Sequence, residues 1–208
     1  MSNQLCRAKE LCSYAQILDR GKKHALARQH LSRAIALLEK QGPGSDELAE
    51  AYCAMCFATL FTRCRRDKRH AQQREAIAWY EKAIAVWERN GNQAKLGPNL
   101  SNLGSLYYRC GEMETALARN LRALELERQR TTLDDESVAA WNHVARCYLA
   151  LGRLDEAESV VREGFARMGD NTPRSAYLWS TLAGIYSARA QAFHCKAKEL
   201  APPDSCAV

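Results

Sequence analysis

Side chains able to do chemistry are sparse in this sequence, and the densest group is cationic. Residues 63–74, RCRRDKRHAQQR, place Arg63, Arg65, Arg66, Lys68, Arg69 and Arg74 beside a single Asp67, so most of the net charge of +6 sits in one short stretch. Such a cluster attracts phosphates or acidic peptides, and Arg65, Arg66, Lys68 and Arg69 also resemble a short nuclear-import signal. No aromatic residue is interleaved with the basic ones, so single-stranded bases would have nothing to stack on, which disfavours nucleic acid. Cys53 and Cys56, with Cys64 and His70 downstream, are side chains of the kind that hold zinc in a tetrahedral site. For catalysis there is little: no phosphate-cradling Gly loop, no nucleophile elbow, and no His paired with Glu at metal-binding spacing. His24, His30, His70, His143 and His194 all lie in polar, helix-like contexts. The expectation is a protein that is not an enzyme and takes no cofactor.

The elements that must position these groups follow from composition and period. The 208 residues are 47% hydrophobic and 26% charged, which excludes disorder and suits one domain or two small ones. No apolar run reaches the ~18 residues of a membrane span, and the opening MSNQLCRAKE lacks the apolar core of a secretory signal. A soluble chain with no membrane partner is expected. Nine Cys, an odd number scattered through helix-like segments, point to reduced thiols and hence to a cytoplasmic protein, with the nucleus as the other compartment that fits.

Apolar residues recur at three- and four-residue steps and alternating strand patterns are missing, so the chain reads as all-α. Self-similarity is the stronger signal. In residues 100–124, LSNLGSLYYRCGEMETALARNLRAL, Leu100, Leu103 and Tyr107 share one face of a first helix, and Gly104 lets a second helix approach. Gly111 suits the left-handed end of that helix, and Glu112 opens the second, where Ala116 and Ala123 leave room. The order returns in Trp141, Val144, Ala145, Tyr148, Gly152, Ala157, Val161 and Gly164, with 41 residues from Tyr107 to Tyr148. An upstream copy holds Leu11, Tyr14, Ala15, Leu18, Ala27, Leu31 and Ala34, with Gly21 near its turn. A weaker one has Tyr52, Met55 and Cys56, then Ala76, Tyr80 and Ala83, with the basic stretch as an enlarged, solvated turn between its halves. Trp179, Leu182, Ala183 and Tyr186 repeat the first helix alone, as a terminal cap would. Cys56 then falls at the small-residue position shared with Ala15, Gly104, Ala145 and Ala183, which explains it by packing and argues against zinc. Helix starts are signalled by Ser45 with Asp46 and Glu47, by Asp134 to Glu136, and by Thr172 before Pro173.

The order W-x-x-L-G-x-x-Y, A-x-x-x-F, then a small residue resembles the tetratricopeptide repeat (TPR). The departures are that Glu39, Glu88, Arg128 and Gly169 stand where the family closes with Pro, and that Asn120 replaces its large aromatic. The long spacing is similar to that of kinesin light chains and spindle-orientation adaptors. The resemblance implies an α-solenoid of about four helix-turn-helix repeats over 1–201 (about 5–40, 46–90, 97–130 and 135–169), a cap at 173–200 and a tail at 202–208. It also implies a concave groove lined by the first helices, where another protein lays a peptide or helix. On that reading Asn102, Ser105, Tyr108 and Arg109, and then Asn142, His143, Arg146 and Leu149, face the groove. Asn102 would grip a peptide backbone, while Arg109 and Arg146 would favour acidic motifs. The carboxylate clamp of the co-chaperone members is not matched, because Cys12, Gln16, Ala139 and His143 occupy its positions. The expected function is therefore an adaptor or scaffold for another protein. The alternatives are a structural subunit that pairs through its first or last helices, and phosphate or nucleic-acid contact through residues 63–74.

Overall fold

The computed structural model describes residues 3–42, 44–130, 135–168 and 175–200. Expectations that fall on Asp134, Thr172, Pro173 and the tail 202–208 lie outside the described residues. Within them the chain is helical, with no strand: α1 Asn3–Arg20, α2 His24–Glu39, α3 Asp46–Phe61, α4 Arg69–Asn90, α5 Gln93–Arg109, α6 Met113–Arg128, α7 Asp135–Ala150, α8 Leu154–Met168 and α9 Ala176–Leu200. It divides into two compact units, Met1–Leu126 and Glu127–Val208.

Local chemistry places the helix ends. Ser45 caps α3 with its hydroxyl accepting the Leu48 N–H at 3.2 Å, and Asp46 and Glu47 lie in the first turn, opposing the helix dipole. Asn92 does the same for α5, accepting from the Lys95 N–H at 3.2 Å. Four helix-to-helix turns share one hydrogen bond that reaches back over five residues: Lys23 N–H to Leu18, Asn92 to Trp87, Glu112 to Tyr107 and Arg153 to Tyr148, all at 2.8–3.0 Å. This closure needs one left-handed residue, and Gly91, Gly111 and Gly152 supply it at φ 65°, 84° and 74°. In the first turn the left-handed residue is Lys22, at φ 56°, and not its neighbour Gly21.

In the first unit α1 packs on α2 and α3 on α4, while α2 and α4 also lie against the first helix of the next pair. Ala27, Ala34, Ala76, Ala83, Ala116 and Ala123 have no exposed surface, and Leu31, Leu48, Tyr80, Trp87, Leu100 and Leu124 fill the space between. Fully burying one large apolar side chain gains roughly 1.5–3 kcal/mol. The exposed ion pairs that link alternate helices, Lys9 to Glu47, Glu50 to Lys95 and Arg28 to Glu75, gain about 0–1 kcal/mol each. Burial therefore holds the stack, and the ion pairs show which helices lie side by side: α1, α3 and α5 in one row, α2 and α4 in the other.

Three tyrosines, on α3, α5 and α9, tie their helices to the second helix of the preceding pair. The Tyr52 hydroxyl donates to Glu39 at 2.7 Å, Tyr107 to Glu81 at 2.6 Å and Tyr186 to Glu158 at 3.1 Å. Burial and the Glu81 carboxylate push the Tyr107 phenol up to about 12, so it stays a donor. In the second unit α7, α8 and α9 pack mutually around Trp141, Val144, Ala145, Val161, Leu178 and Ile185.

At Gly104 the helices α5 and α6 come so close that a Cβ would lie 2.3 Å from Oδ1 of the buried Asn120. A helical Gly→Ala change gains ~1 kcal/mol in propensity, whereas overpacking a filled contact costs about 1–3 kcal/mol. Gly104→Ala is therefore expected to lower the melting temperature. In an Asn120→Ala background the same change should raise it, which a double-mutant cycle by thermal denaturation reads directly.

Candidate functional site

The α5 wall is the polar face that the structure builds most fully. Tyr80, from α4, is almost fully buried and pushes its hydroxyl between α3 and α5. That hydroxyl donates to Asn99 Oδ1 at 2.6 Å, and the Cys53 thiol reaches the same oxygen at 3.6 Å. The Asn99 amide in turn donates to the Lys95 carbonyl at 2.7 Å. The Asn102 side chain hydrogen-bonds the same Tyr80 hydroxyl while Asn102 itself stays exposed. Burial raises the Tyr80 phenol above its ordinary value and pushes the Cys53 thiol up to about 12. Every member of this cluster is thus neutral near pH 7. It can hold hydrogen-bonding groups and is not set up for proton transfer or thiolate chemistry.

Asn102, Ser105, Tyr108 and Arg109 all lie on α5, with Asn102 and Arg109 exposed and Ser105 and Tyr108 half-buried. Between α1 and α3 a cleft of about 310 Å³ continues the row of first helices, lined by Cys12, Ser13, Gln16, Glu50 and Ala54 with the Lys9–Glu47 pair at 3.1 Å beside it. Sequence reasoning gave no place to Tyr80 or Asn99 here. Tyr80 read as core, and nothing in the spacing shows that its hydroxyl passes through to the other helix row.

On α7, Asn142 is buried and its Oδ1 accepts the Thr181 hydroxyl at 2.7 Å, which joins α7 to α9. Leu149 likewise packs on α9, 3.1 Å from where a Cβ on Gly184 would stand. The lone cap pattern gave no sign that α9 covers this side of α7. His143 is half-buried and Arg146 exposed. Burial and the Arg146 charge lower the His143 imidazole to about 4, so it stays uncharged near neutrality.

The basic stretch is not one enlarged loop, as the sequence suggested. Only 62–65 is non-helical; Arg66–Lys68 form a 3-10 turn and Arg69 starts α4, which extends the helix through Arg74. Gln72 explains the sharp join, since its amide donates to the carbonyls of Thr59 at 2.5 Å and Thr62 at 2.6 Å, satisfying the exposed end of α3. Arg65 sits beside Asp67 at 3.5 Å and Arg74 pairs with Glu112 at 2.8 Å. Arg63 and Arg69 instead line a cleft of about 650 Å³ with Leu60, Phe61 and Gln73, and Arg109 from α5 closes it. The structure thereby joins one residue assigned to the groove with two assigned to the insert.

The four residues weighed for zinc do not converge. Cys53 contacts Asn99, Cys56 is fully buried packing, Cys64 donates to Gln72 at 2.6 Å, and His70 is exposed on α4. Among the described residues no group of three or more His, Cys, Asp or Glu could hold a metal ion. No described helix is long and apolar enough to cross a membrane.

Residues 98–170 match the family profile of the tetratricopeptide repeat. No curated protein matches the chain in sequence. In fold it is similar to the TPR-like repeats of a Podosopora anserina protein assigned as a kinesin light chain, with TM-score 0.71, 17% identity, and coverage of 95% of this chain and 92% of that one. It is also similar to BtubC from P. vanneervenii, with TM-score 0.57, 16% identity and coverage of 99% and 95%. A third similar structure is YrrB, described as a TPR protein with an unusual peptide-binding site, with TM-score 0.55, 18% identity and 90% coverage of each chain. The fold is an all-α solenoid of TPR-like helix pairs.

The lowered pKa of His143 has a stability consequence. An unfolded chain takes up the imidazole proton near 6.5, the folded one near 4, so the unfolded state binds more protons between those values. Stability should therefore fall as pH drops from 6.5 towards 4, by up to about 1.4 kcal/mol per unit from this group. Replacing His143 with Gln should remove that part of the slope in denaturant titrations across the range.

Proposed function

We propose that this chain, with its tetratricopeptide-repeat match and solenoid fold, is an adaptor that receives an extended segment of a partner protein on the first-helix face of the unit Met1–Leu126. The observation that carries the reading is the Asn102 amide, exposed on α5 and oriented from below by the buried Tyr80 hydroxyl. An amide held in one orientation offers a donor or acceptor to a peptide backbone whatever the side chains of that peptide, and little rotamer freedom is lost when it binds. Ser105 and Tyr108 extend the polar face one and two turns along α5, and the α1–α3 cleft continues it across the row. The peptide-binding site described for YrrB, a protein of similar fold, supports a peptide as ligand.

In this reading the binding role of the second unit rests on Arg146 and the neutral His143, and Asn142 takes no part. No chemical step is assigned to the chain: burial raises the Cys53 thiol and the Tyr80 phenol beside Asn102, so neither is ionised near pH 7. Its work is to hold one partner in place by hydrogen bonds and shape.

Selection from a random peptide library displayed on phage, with the chain as bait, tests the proposal. Peptides recovered on the wild type should bind Asn102→Ala about tenfold more weakly, as the loss of a hydrogen bond of ~1–1.5 kcal/mol dictates, with helicity and melting unchanged. Tyr80→Phe should weaken them in the same direction by releasing Asn102. Recovered peptides that bind both variants as tightly as the wild type would remove the proposal.

A further inference from the structure

A strip of uncompensated positive charge crosses the turn edge of the first unit, and its Arg109 lies about two helical turns along α5 from Asn102. Two adjoining clefts share Phe61, Thr62 and Arg63: the one of about 650 Å³ that holds Arg63, Arg69 and Arg109, and a second of about 350 Å³ against Lys22, Lys23 and Leu26. Among the described residues no carboxylate lies within ion-pair distance of any of these five cations. Nearby cations are already matched, with Arg65 beside Asp67 and Arg74 on Glu112, and the Asp19 carboxylate hydrogen-bonds the His24 ring at 2.5 Å. Between the two cationic groups stand Phe61 and Leu26, exposed by 59% and 40%.

We propose that this strip is a second binding site, for an extended acidic segment of a partner protein. Its carboxylates would engage the guanidinium groups of Arg63, Arg69 and Arg109 at one end and the two lysines at the other, and an apolar residue between them would cover Phe61. Guanidinium forks match carboxylates in paired, charge-assisted bonds, and a concave setting excludes water from them. The strip crosses the turns of neighbouring helices, which pack about 8–10 Å apart. At about 3.3 Å per residue, an extended segment of roughly six to ten residues spans it. A single-stranded nucleic acid fits less well, because the phosphates would find cations but the bases would find only the one ring of Phe61. The site shares no residue with the Asn102–Tyr80 cluster and does not rest on the function proposed above.

The test uses the full chain and an acetylated, fluorescent decapeptide of Glu and Asp with one central Leu, read by anisotropy. A Gln and Ser decapeptide and an oligo-dT of equal charge serve as comparators. Arg63→Gln with Arg69→Gln is expected to weaken the acidic decapeptide about tenfold or more, and Arg109→Gln, on another helix, in the same direction. Arg65→Gln with Lys68→Gln removes the same charge outside the clefts and is expected to cost less than about threefold. Phe61→Ser should weaken the decapeptide but leave an all-acidic version lacking Leu unchanged. Asn102→Ala should leave the decapeptide affinity unaltered, which separates this site from the Asn102–Tyr80 cluster. Equal losses in the two double variants, tighter binding of oligo-dT than of the decapeptide, or no decapeptide binding would overturn the assignment, provided each variant melts as the wild type does.

Discussion

Paired helices in this chain come together at positions with almost no side chain, and the separation set there decides what the larger side chains can reach. Ala27, Ala34, Ala76, Ala83, Ala116, Ala123 and Ala157 are all without exposed surface, and Gly104 admits Asn120 where even a methyl group would collide. Interiors are close-packed, so a methylene added at such a position pushes a helix and not just a rotamer. The Tyr80 hydroxyl arrives between α3 and α5 only because α4 lies close enough behind them. Its contacts with Asn99 and Asn102 are thus a product of the core as much as of the surface.

Burial of this kind is non-directional, and something else must fix how one pair sits on the next. The tyrosine-to-glutamate bonds do this within each unit, and for the buried Tyr52 and Tyr107 a phenol oxygen without a partner would lose its hydration with nothing in return. Glu158 shows how much is concentrated on such a carboxylate: it takes the Tyr186 hydroxyl and is gripped by Arg162 and Arg189. Burial opposes its ionisation, yet the bonds from Tyr186 and Arg189 and the two guanidinium charges hold it below the ordinary range. Directional bonds of modest strength therefore set register on a stack that apolar contact holds together.

What the sequence made legible follows the same division. Period, small residues and turn chemistry are local, so Ser45, Gly111, Gly104 and the paired Ala116 and Ala123 could be placed from spacing alone, and the structure puts each to the expected use. Asn120 read as a departure from the family pattern, and its contact with Gly104 gives the compensation. Long-range facts were hidden. Whether Asn142 meets a ligand or α9 depends on a helix beginning more than thirty residues later. The basic stretch misled because charge signals exposure without telling helix from loop; the cue present but unused was Gln72, an amide able to satisfy the end of α3. Lys22 in place of Gly21 shows the limit of residue type, since the shared hydrogen bond and not the glycine fixes which residue turns left-handed.

One row of helices in the first unit is the proposed working face and the other is its support. Amide hydrogen exchange of the chain, with and without a saturating peptide taken from the phage selection, measures this without altering a residue. Slower exchange concentrated in α5 (Gln93–Arg109), with smaller effects in α1 and α3, is the expected result. Protection confined to α2, α4 and α6 would contradict it.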